Sequence, residues 1–129
     1  MYLLDTDIII DLFNNDSSII KNINKRKSIP MYVGSLTLCE LYKGAFLSAN
    51  FEAEQKNIFK LLANTEFVSL GKEACKIFGK NNAYLSKIGK ITQEVDLMVA
   101  SIAISRDLIL VTRNKKHFEN IPELKMEQW

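Results

Sequence analysis

The sequence predicts an α/β domain of three layers, in which helices cover both faces of a central parallel sheet of four to five short strands. Short apolar segments alternate along the chain with longer segments whose apolar residues repeat at helical spacing. Strands that are apolar on both faces are typical of a parallel sheet buried between helices. A chain of 129 residues with 47% hydrophobic content suffices for one core, so we expect a single domain over residues 1–129.

The chain begins with a strand followed by two short helices. Residues 3–5 form the first predicted strand, because an apolar run ends there on a carboxylate. Asp7 is placed to cap a helix over residues 8–13, since Asp is a preferred residue at helix amino ends. The polar residues 14–16 break that helix. A second helix is predicted over residues 17–27, where Lys and Arg are concentrated.

The second strand and the next two helices follow Pro30. Residues 32–35 are short and apolar enough for a strand. Thr37 starts a helix whose apolar residues repeat at helical spacing until Asn50 interrupts it. The same spacing predicts a helix over residues 52–62.

The third strand and two further helices come next. Residues 67–70 form the strand, which Gly71 ends. An apolar stripe then predicts a helix from Ala74 to a stop at a glycine. Thr92 is placed to cap a helix over residues 94–105, which is apolar on nearly all sides and therefore expected to be central and buried.

The last elements are a strand, a short helical turn and an extended end. Residues 108–111 are apolar enough for a central strand. Asn114 is placed to cap the turn that follows, and an extended piece runs toward Trp129.

Composition excludes several classes of protein. No apolar run approaches the ~20 residues needed to span a bilayer, and the first residues lack the basic start and long apolar centre of a signal peptide, so we expect a cytoplasmic protein with no membrane contact. Cys39 and Cys75 have no metal-ligand spacing, which favours two reduced and mostly buried thiols. His117 is the only histidine and is expected at the surface or in packing, not as a general base. The net charge of +2 is too small to indicate a polyanionic partner.

Four polar residues are predicted to meet at one edge of the sheet, because each lies just past a strand or in the first turn of the following helix: Asp5, Glu40, Asp96 and Asn114. Most of them have an ordinary alternative. Asp5 is also a common turn residue, Glu40 completes a T-x-x-E capping box with Thr37, and Asn114 is a frequent cap. Asp96 is harder to explain this way, since it shares a helix face with small alanines and points inward.

Converging carboxylates need a cation. Two of them ~4 Å apart repel by roughly 4 kcal/mol at an effective dielectric of 20. Oxygen ligands without Cys or His favour Mg²⁺ or Mn²⁺ over zinc. Such a site is suited to cleaving phosphodiesters.

Four segments in this order resemble the conserved blocks of PIN-domain proteins, in particular the VapC-type toxin ribonucleases of toxin–antitoxin pairs: LLDTD, SLTLCELYKGA, VDLMVASIA and LVTRNKKHFENIP. The resemblance covers essentially the whole chain. It implies a metal-dependent endoribonuclease, the toxin of a type II toxin–antitoxin system, with Mg²⁺ or Mn²⁺ as cofactor. It also implies an RNA substrate, a small antitoxin partner and a homodimer, and we expect no DNA contact by this chain alone.

The resemblance also assigns roles residue by residue. It implies three catalytic carboxylates that also bind metal, which are Asp5, Glu40 and Asp96, and a fourth metal ligand, Asn114. Supporting positions are Thr6, Asp7 and Thr112, with Asp7 standing where Asn is the commoner residue. Arg113, Lys115 and Lys116 flank the site and are candidates to hold RNA phosphates, with solvated surface residues as the alternative.

Two other functions stay open at this stage. One is a PIN nuclease that processes RNA without being a toxin. The other, from a different class, is a receiver-like signalling module, which would need a mid-chain strand ending in a phosphorylatable Asp. Four aromatic residues on two consecutive helices, Tyr42, Phe46, Phe51 and Phe59, fit either core packing or a groove for a partner.

Overall fold

The computed structural model describes all 129 residues, and at its centre is a five-stranded sheet whose strands all run parallel. The strands are β1 (Tyr2–Leu4), β2 (Met31–Gly34), β3 (Glu66–Val68), β4 (Ile109–Val111) and β5 (Met126–Glu127). Their order across the sheet is β3-β2-β1-β4-β5. The chain therefore builds one half of the sheet first and then crosses over β1 to build the other.

Seven helices connect these strands. They are α1 (Thr6–Phe13), α2 (Ser17–Lys25), α3 (Ser35–Leu47), α4 (Phe51–Ala63), α5 (Lys72–Lys87), α6 (Glu94–Ser105) and α7 (Lys115–Phe118). No helix is long and apolar enough to cross a membrane.

Two separate hydrophobic clusters confirm the predicted three layers. One contains Leu3 of β1 and the buried residues of α6, including Ala100 and Ala103. The other contains Tyr2 and Leu4 of β1 together with buried residues of α1, α2, α3 and α4. Neighbouring residues of β1 thus point into opposite clusters, as a strand buried on both faces requires.

Three predicted helix caps are wrong. Asp5, not Asp7, caps α1, and its side chain accepts a hydrogen bond from the Thr6 amide at 2.9 Å. Helix α3 begins at Ser35 with Gly34 as its N-cap and no side-chain cap bond, so Thr37 lies inside the helix. Helix α6 begins after Gln93, so Thr92 is not its cap.

Two smaller expectations also differ from the structure. Cys39 and Cys75 are free thiols, as expected, but both are exposed because they lie on outward faces of α3 and α5. Asn114 does precede α7, but its side chain makes no capping hydrogen bond.

A candidate acidic active site at the carboxyl edge of the sheet

The order in which the chain adds strands reverses between β1 and β4. Asp5 lies at the carboxyl end of β1, at this point of the sheet. Strands β1 and β4 are hydrogen-bonded neighbours, although the chain reaches β4 only after building β2 and β3 on the other side of β1. The Asp5 amide donates to the Val111 carbonyl oxygen at 3.0 Å, which fixes the carboxyl ends of both strands together. In open α/β sheets, the crevice at such a switch point is where ligands bind.

The Asp5 carboxylate is held at both oxygens. One accepts from the Thr6 amide at 2.9 Å and the other from the Thr112 hydroxyl at 2.8 Å. Burial, then the neighbouring charges of Asp7 and Asp96, raise the pKa of Asp5 from 3.8 to about 6, although the two hydrogen bonds oppose the increase. Asp5 is therefore a partly buried carboxylate that the protein orients by hydrogen bonds but does not pair with a cation.

Asp7 belongs to the same site. Its carboxylate accepts from the Ile8 amide at 2.8 Å and from the Arg113 amide at 2.9 Å, and the Thr112 hydroxyl lies 3.5 Å away. Asp7 thus ties the start of α1 to the loop that follows β4.

Glu40 approaches from α3 with its carboxylate free of any capping bond. The predicted capping box is wrong because α3 starts two residues before Thr37, whose hydroxyl oxygen accepts a hydrogen bond from the Thr6 hydroxyl at 3.3 Å. Partial burial, together with the charge of Asp96, raises the pKa of Glu40, with Thr6 and Lys43 opposing the increase.

Asp96 lies in the first turn of α6, on the face that carries the fully buried Ala100 and Ala103. Its side chain is 22% exposed, which agrees with the inward orientation predicted from the sequence. Burial and the charge of Asp7 raise its pKa, while His117 opposes the increase. The four carboxylates are therefore linked electrostatically, because each of three raised pKa values includes a neighbouring acid among its causes.

His117 is a site residue that the sequence reasoning missed. Its Nδ1 atom lies 3.4 Å from an oxygen of Asp96, although the ring is more than half exposed. The one sequence feature that indicates a place near the site is its position in the short helix that begins after Asn114.

The end of β4 supplies the remaining predicted residues. The Thr112 side chain is fully buried, and its oxygen accepts from the Asn114 amide at 3.0 Å while its hydroxyl donates to Asp5. Asn114 is exposed and its carboxamide makes no hydrogen bond. Lys115 and Lys116 are exposed, and Lys116 lines a cleft of about 160 Å³ with Asp96.

The Arg113 guanidinium contacts carboxylates of the protein, whereas a phosphate-binding arginine needs a guanidinium free of such partners. Its guanidinium reaches Asp11 at 2.8 Å and both carboxylate oxygens of Asp16 at 3.1 and 3.2 Å. Its Nε atom donates to the Trp129 carbonyl oxygen at 3.2 Å. These partners lie on α1, at the amino end of α2 and at the end of the chain, so the guanidinium is already engaged by the protein's own acids.

The donor set fits Mg²⁺ or Mn²⁺ bound together with water. No Lys or Arg forms an ion pair with Asp5, Asp7, Glu40 or Asp96, and the one basic side chain in contact with any of these acids is His117, beside Asp96. No group of three or more His, Cys, Asp or Glu side chains is arranged to hold a metal ion directly, so the four predicted ligands do not form a closed cage. Mg²⁺ commonly uses one or two carboxylates and keeps several waters, which suits this more open arrangement.

Comparisons with known proteins agree on one family. The family model described as "PIN domain" matches residues 2–124. Among curated relatives, ribonuclease VapC1 of Haemophilus influenzae is 33% identical, with 100% of this chain and 98% of the relative covered. A tRNA(fMet)-specific endonuclease VapC of Salmonella typhimurium is 30% identical, with 99% and 97% covered. The DNA-bound VapBC complex of Salmonella typhimurium contains a chain of 31% identity that superposes with a TM-score of 0.91, with 99% of this chain and 97% of that chain covered.

Proposed function

Because the chain belongs to the PIN-domain family, we propose that it is a VapC-type endoribonuclease and the toxin of a type II toxin–antitoxin pair. The observation that carries this proposal is the partly buried carboxylate of Asp5 at the switch point of the sheet, where Asp7 and Asp96 raise its pKa and Asp96 also raises that of Glu40. Acids gathered without a paired Lys or Arg favour binding of a divalent cation, and the cation in turn favours an anionic substrate.

Asp5 and Asp96 are the residues we propose to hold Mg²⁺ or Mn²⁺, with Glu40 and Asn114 as further ligands directly or through water. When bound, the ion acts as a Lewis acid toward a phosphodiester and makes a coordinated water a stronger nucleophile. Thr112 and the Thr6 amide orient Asp5 through hydrogen bonds of 2.8 and 2.9 Å. Such supporting bonds keep a carboxylate in one orientation while the substrate binds.

Lys115 and Lys116 are the residues we propose to hold the RNA backbone. Both are exposed on α7, and Lys116 shares a cleft with Asp96 and His117. Cations at this position offset phosphate charge and bind RNA of any sequence. Arg113 is not included, because its guanidinium is already paired with Asp11 and Asp16.

The proposed antitoxin surface lies beside Glu40. Phe46 and Leu47 at the end of α3 are 71% and 78% exposed, and Phe46 stacks on Phe51 with ring centroids 4.4 Å apart. A cleft of about 290 Å³ is lined by Glu40, Gly44 and Ser48 of the same stretch of chain. Exposed apolar patches of this kind favour a protein partner, and a chain bound here would also cover part of the acidic site. Association as a homodimer remains a prediction from the family resemblance.

Expression of the chain in a bacterial host tests the proposal. Induction should arrest growth and fragment cellular RNA, and Asp5→Asn should abolish both effects while the protein still accumulates in the soluble fraction. Asp107→Asn is the matched control, since Asp107 is an exposed acid paired only with Lys125. Growth arrest that persists in Asp5→Asn would contradict the proposed site.

A further inference from the structure

The Arg113 side chain connects three separate parts of the chain. It bonds Asp11 on α1, Asp16 at the amino end of α2, and the Trp129 carbonyl oxygen. The contact with Asp16 uses two guanidinium nitrogens and both carboxylate oxygens, which is the geometry in which Arg binds carboxylates most specifically. The side chain is therefore held by the last turns of α1, the start of α2 and the end of the chain, none of which supplies a proposed metal ligand.

The backbone of Arg113 is held on the opposite side by the acidic site itself. Its amide donates to Asp7 at 2.9 Å, and the next amide, of Asn114, donates to the Thr112 oxygen at 3.0 Å. The Thr112 hydroxyl in turn donates to Asp5 at 2.8 Å. A movement of the loop at residues 112–114 would thus disturb the orientation of both Asp5 and Asp7.

We infer that Arg113 is a positioning residue, which acts through Asp7 and Thr112 to hold the metal-binding carboxylates in place. Asp11 and Asp16 serve as its anchors. The inference rests on the proposed function, since it concerns metal binding by the same site. It assigns this role to an ion pair whose two members lie 97 residues apart along the chain.

Two alternative roles of Arg113, through its charge alone or through binding of RNA phosphate, predict different results from a positioning role. If Arg113 acted only through its charge, removing it would strengthen metal binding, and removing the charge of Asp16 would weaken it. If Arg113 only held RNA phosphate, removing it would weaken RNA binding but leave Mn²⁺ binding by the RNA-free protein unchanged. Only a positioning role predicts that losing either member of the pair weakens metal binding.

Titration of the RNA-free protein with Mn²⁺ in a calorimeter distinguishes these possibilities. The variants are Arg113→Ala, Arg113→Lys and Asp16→Asn, with Asp107→Asn as the control for loss of a surface ion pair. Asp16→Asn retains the N-cap of α2, because Asn accepts the bond from the Ile19 amide as well as Asp does. The variant therefore removes the charged partner of Arg113 and keeps the helix cap. It still tests the inference if Arg113→Ala fails to fold.

A positioning role predicts a Kd for Mn²⁺ raised by about tenfold or more in Arg113→Ala, in the range found for residues that orient metal ligands. Arg113→Lys should be intermediate, Asp16→Asn should change in the same direction, and Asp107→Asn should match the wild type. An unchanged or tighter Kd in Arg113→Ala overturns the inference, as does tighter binding in Asp16→Asn. If the wild type binds Mn²⁺ and shows this pattern but cleaves no RNA, the proposed function fails and the positioning role stands.

Discussion

Replacing Asp5 with Asn should stabilise the metal-free protein at neutral pH, although it removes a charged residue from the site. In the folded chain the pKa of Asp5 is raised from 3.8 to about 6, chiefly by burial and by Asp7. At ~1.4 kcal/mol for each pKa unit, keeping this carboxylate ionised lowers the free energy of unfolding by ~3 kcal/mol. Asn resembles the protonated carboxyl in shape and carries no charge, so the variant avoids this penalty.

The sign of the pH dependence follows from the direction of the pKa change. Between pH 3.8 and about 6 the folded state binds more protons at Asp5 than the unfolded state does, so stability falls as pH rises through this window. The penalty is complete above about pH 6 and disappears below the unfolded value. The variant should therefore match the wild type near pH 4 and exceed it by up to ~3 kcal/mol at pH 7, or roughly 10 °C in Tm for a chain of this length.

Urea unfolding in the presence of a chelator measures this difference at a series of pH values. Trp129 is the only tryptophan and is 8% exposed in the folded chain, so its fluorescence reports unfolding. Glu40 and Asp96 also have raised pKa values, but both proteins carry them, so subtraction leaves the contribution of Asp5 together with its repulsion by neighbouring acids. A difference that does not vary with pH, or a variant less stable than the wild type at pH 7, would refute the reasoning.

Three further predictions concern the support of the site, its substrate and its partner. Thr112→Val removes the hydroxyl that orients Asp5 and should lower kcat/KM for RNA cleavage about 10- to 100-fold; an unchanged value would exclude a supporting role. Lys115→Ala combined with Lys116→Ala should weaken binding similarly for different RNA sequences and flatten its salt dependence, and filter binding with an unchanged salt slope would count against a phosphate contact. Phe46→Asp places a charge on the exposed aromatic surface and should reduce inhibition by the antitoxin in a cleavage assay; full inhibition would locate the antitoxin elsewhere.

The fold was predictable because the apolar patterns are long and consistent. Helix α6 spans the predicted residues 94–105, and each of the four predicted strands lies within one or two residues of an observed one. The short strand β5 was predicted only as an extended piece. The inward face of Asp96 also followed from its spacing to Ala100 and Ala103, since a helix fixes which residues share a face.

The local roles of the polar residues were not predictable, because distant contacts decide them. Asp5 and Asp7 have equal intrinsic capping preference, and the choice between them depends on Thr112, which is 107 residues from Asp5 along the chain. The pairing of Arg113 with Asp11 and Asp16 joins residues about 100 positions apart, which no local pattern reveals.

The capping box failed for a related reason. The register of β2 between β1 and β3 sets where α3 begins, and α3 starts at Ser35, two residues before the predicted cap. Thr37 thus lies within the first turn, where its hydroxyl meets Thr6 and not the α3 backbone. The T-x-x-E pattern of a capping box is present in the sequence, but α3 begins directly after β2, before the residue that the pattern would make the cap.

Cleavage of RNA by the purified chain tests the central claim most directly. Wild type and Asp96→Asn are compared with and without Mg²⁺, and Asp107→Asn again controls for loss of a surface acid. The account predicts cleavage by the wild type and the control only when Mg²⁺ is present, and a loss of at least about 10²-fold in Asp96→Asn, as expected when a group that stabilises transition-state charge is removed. Cleavage that survives a chelator, or that Asp96→Asn retains in full, would contradict it.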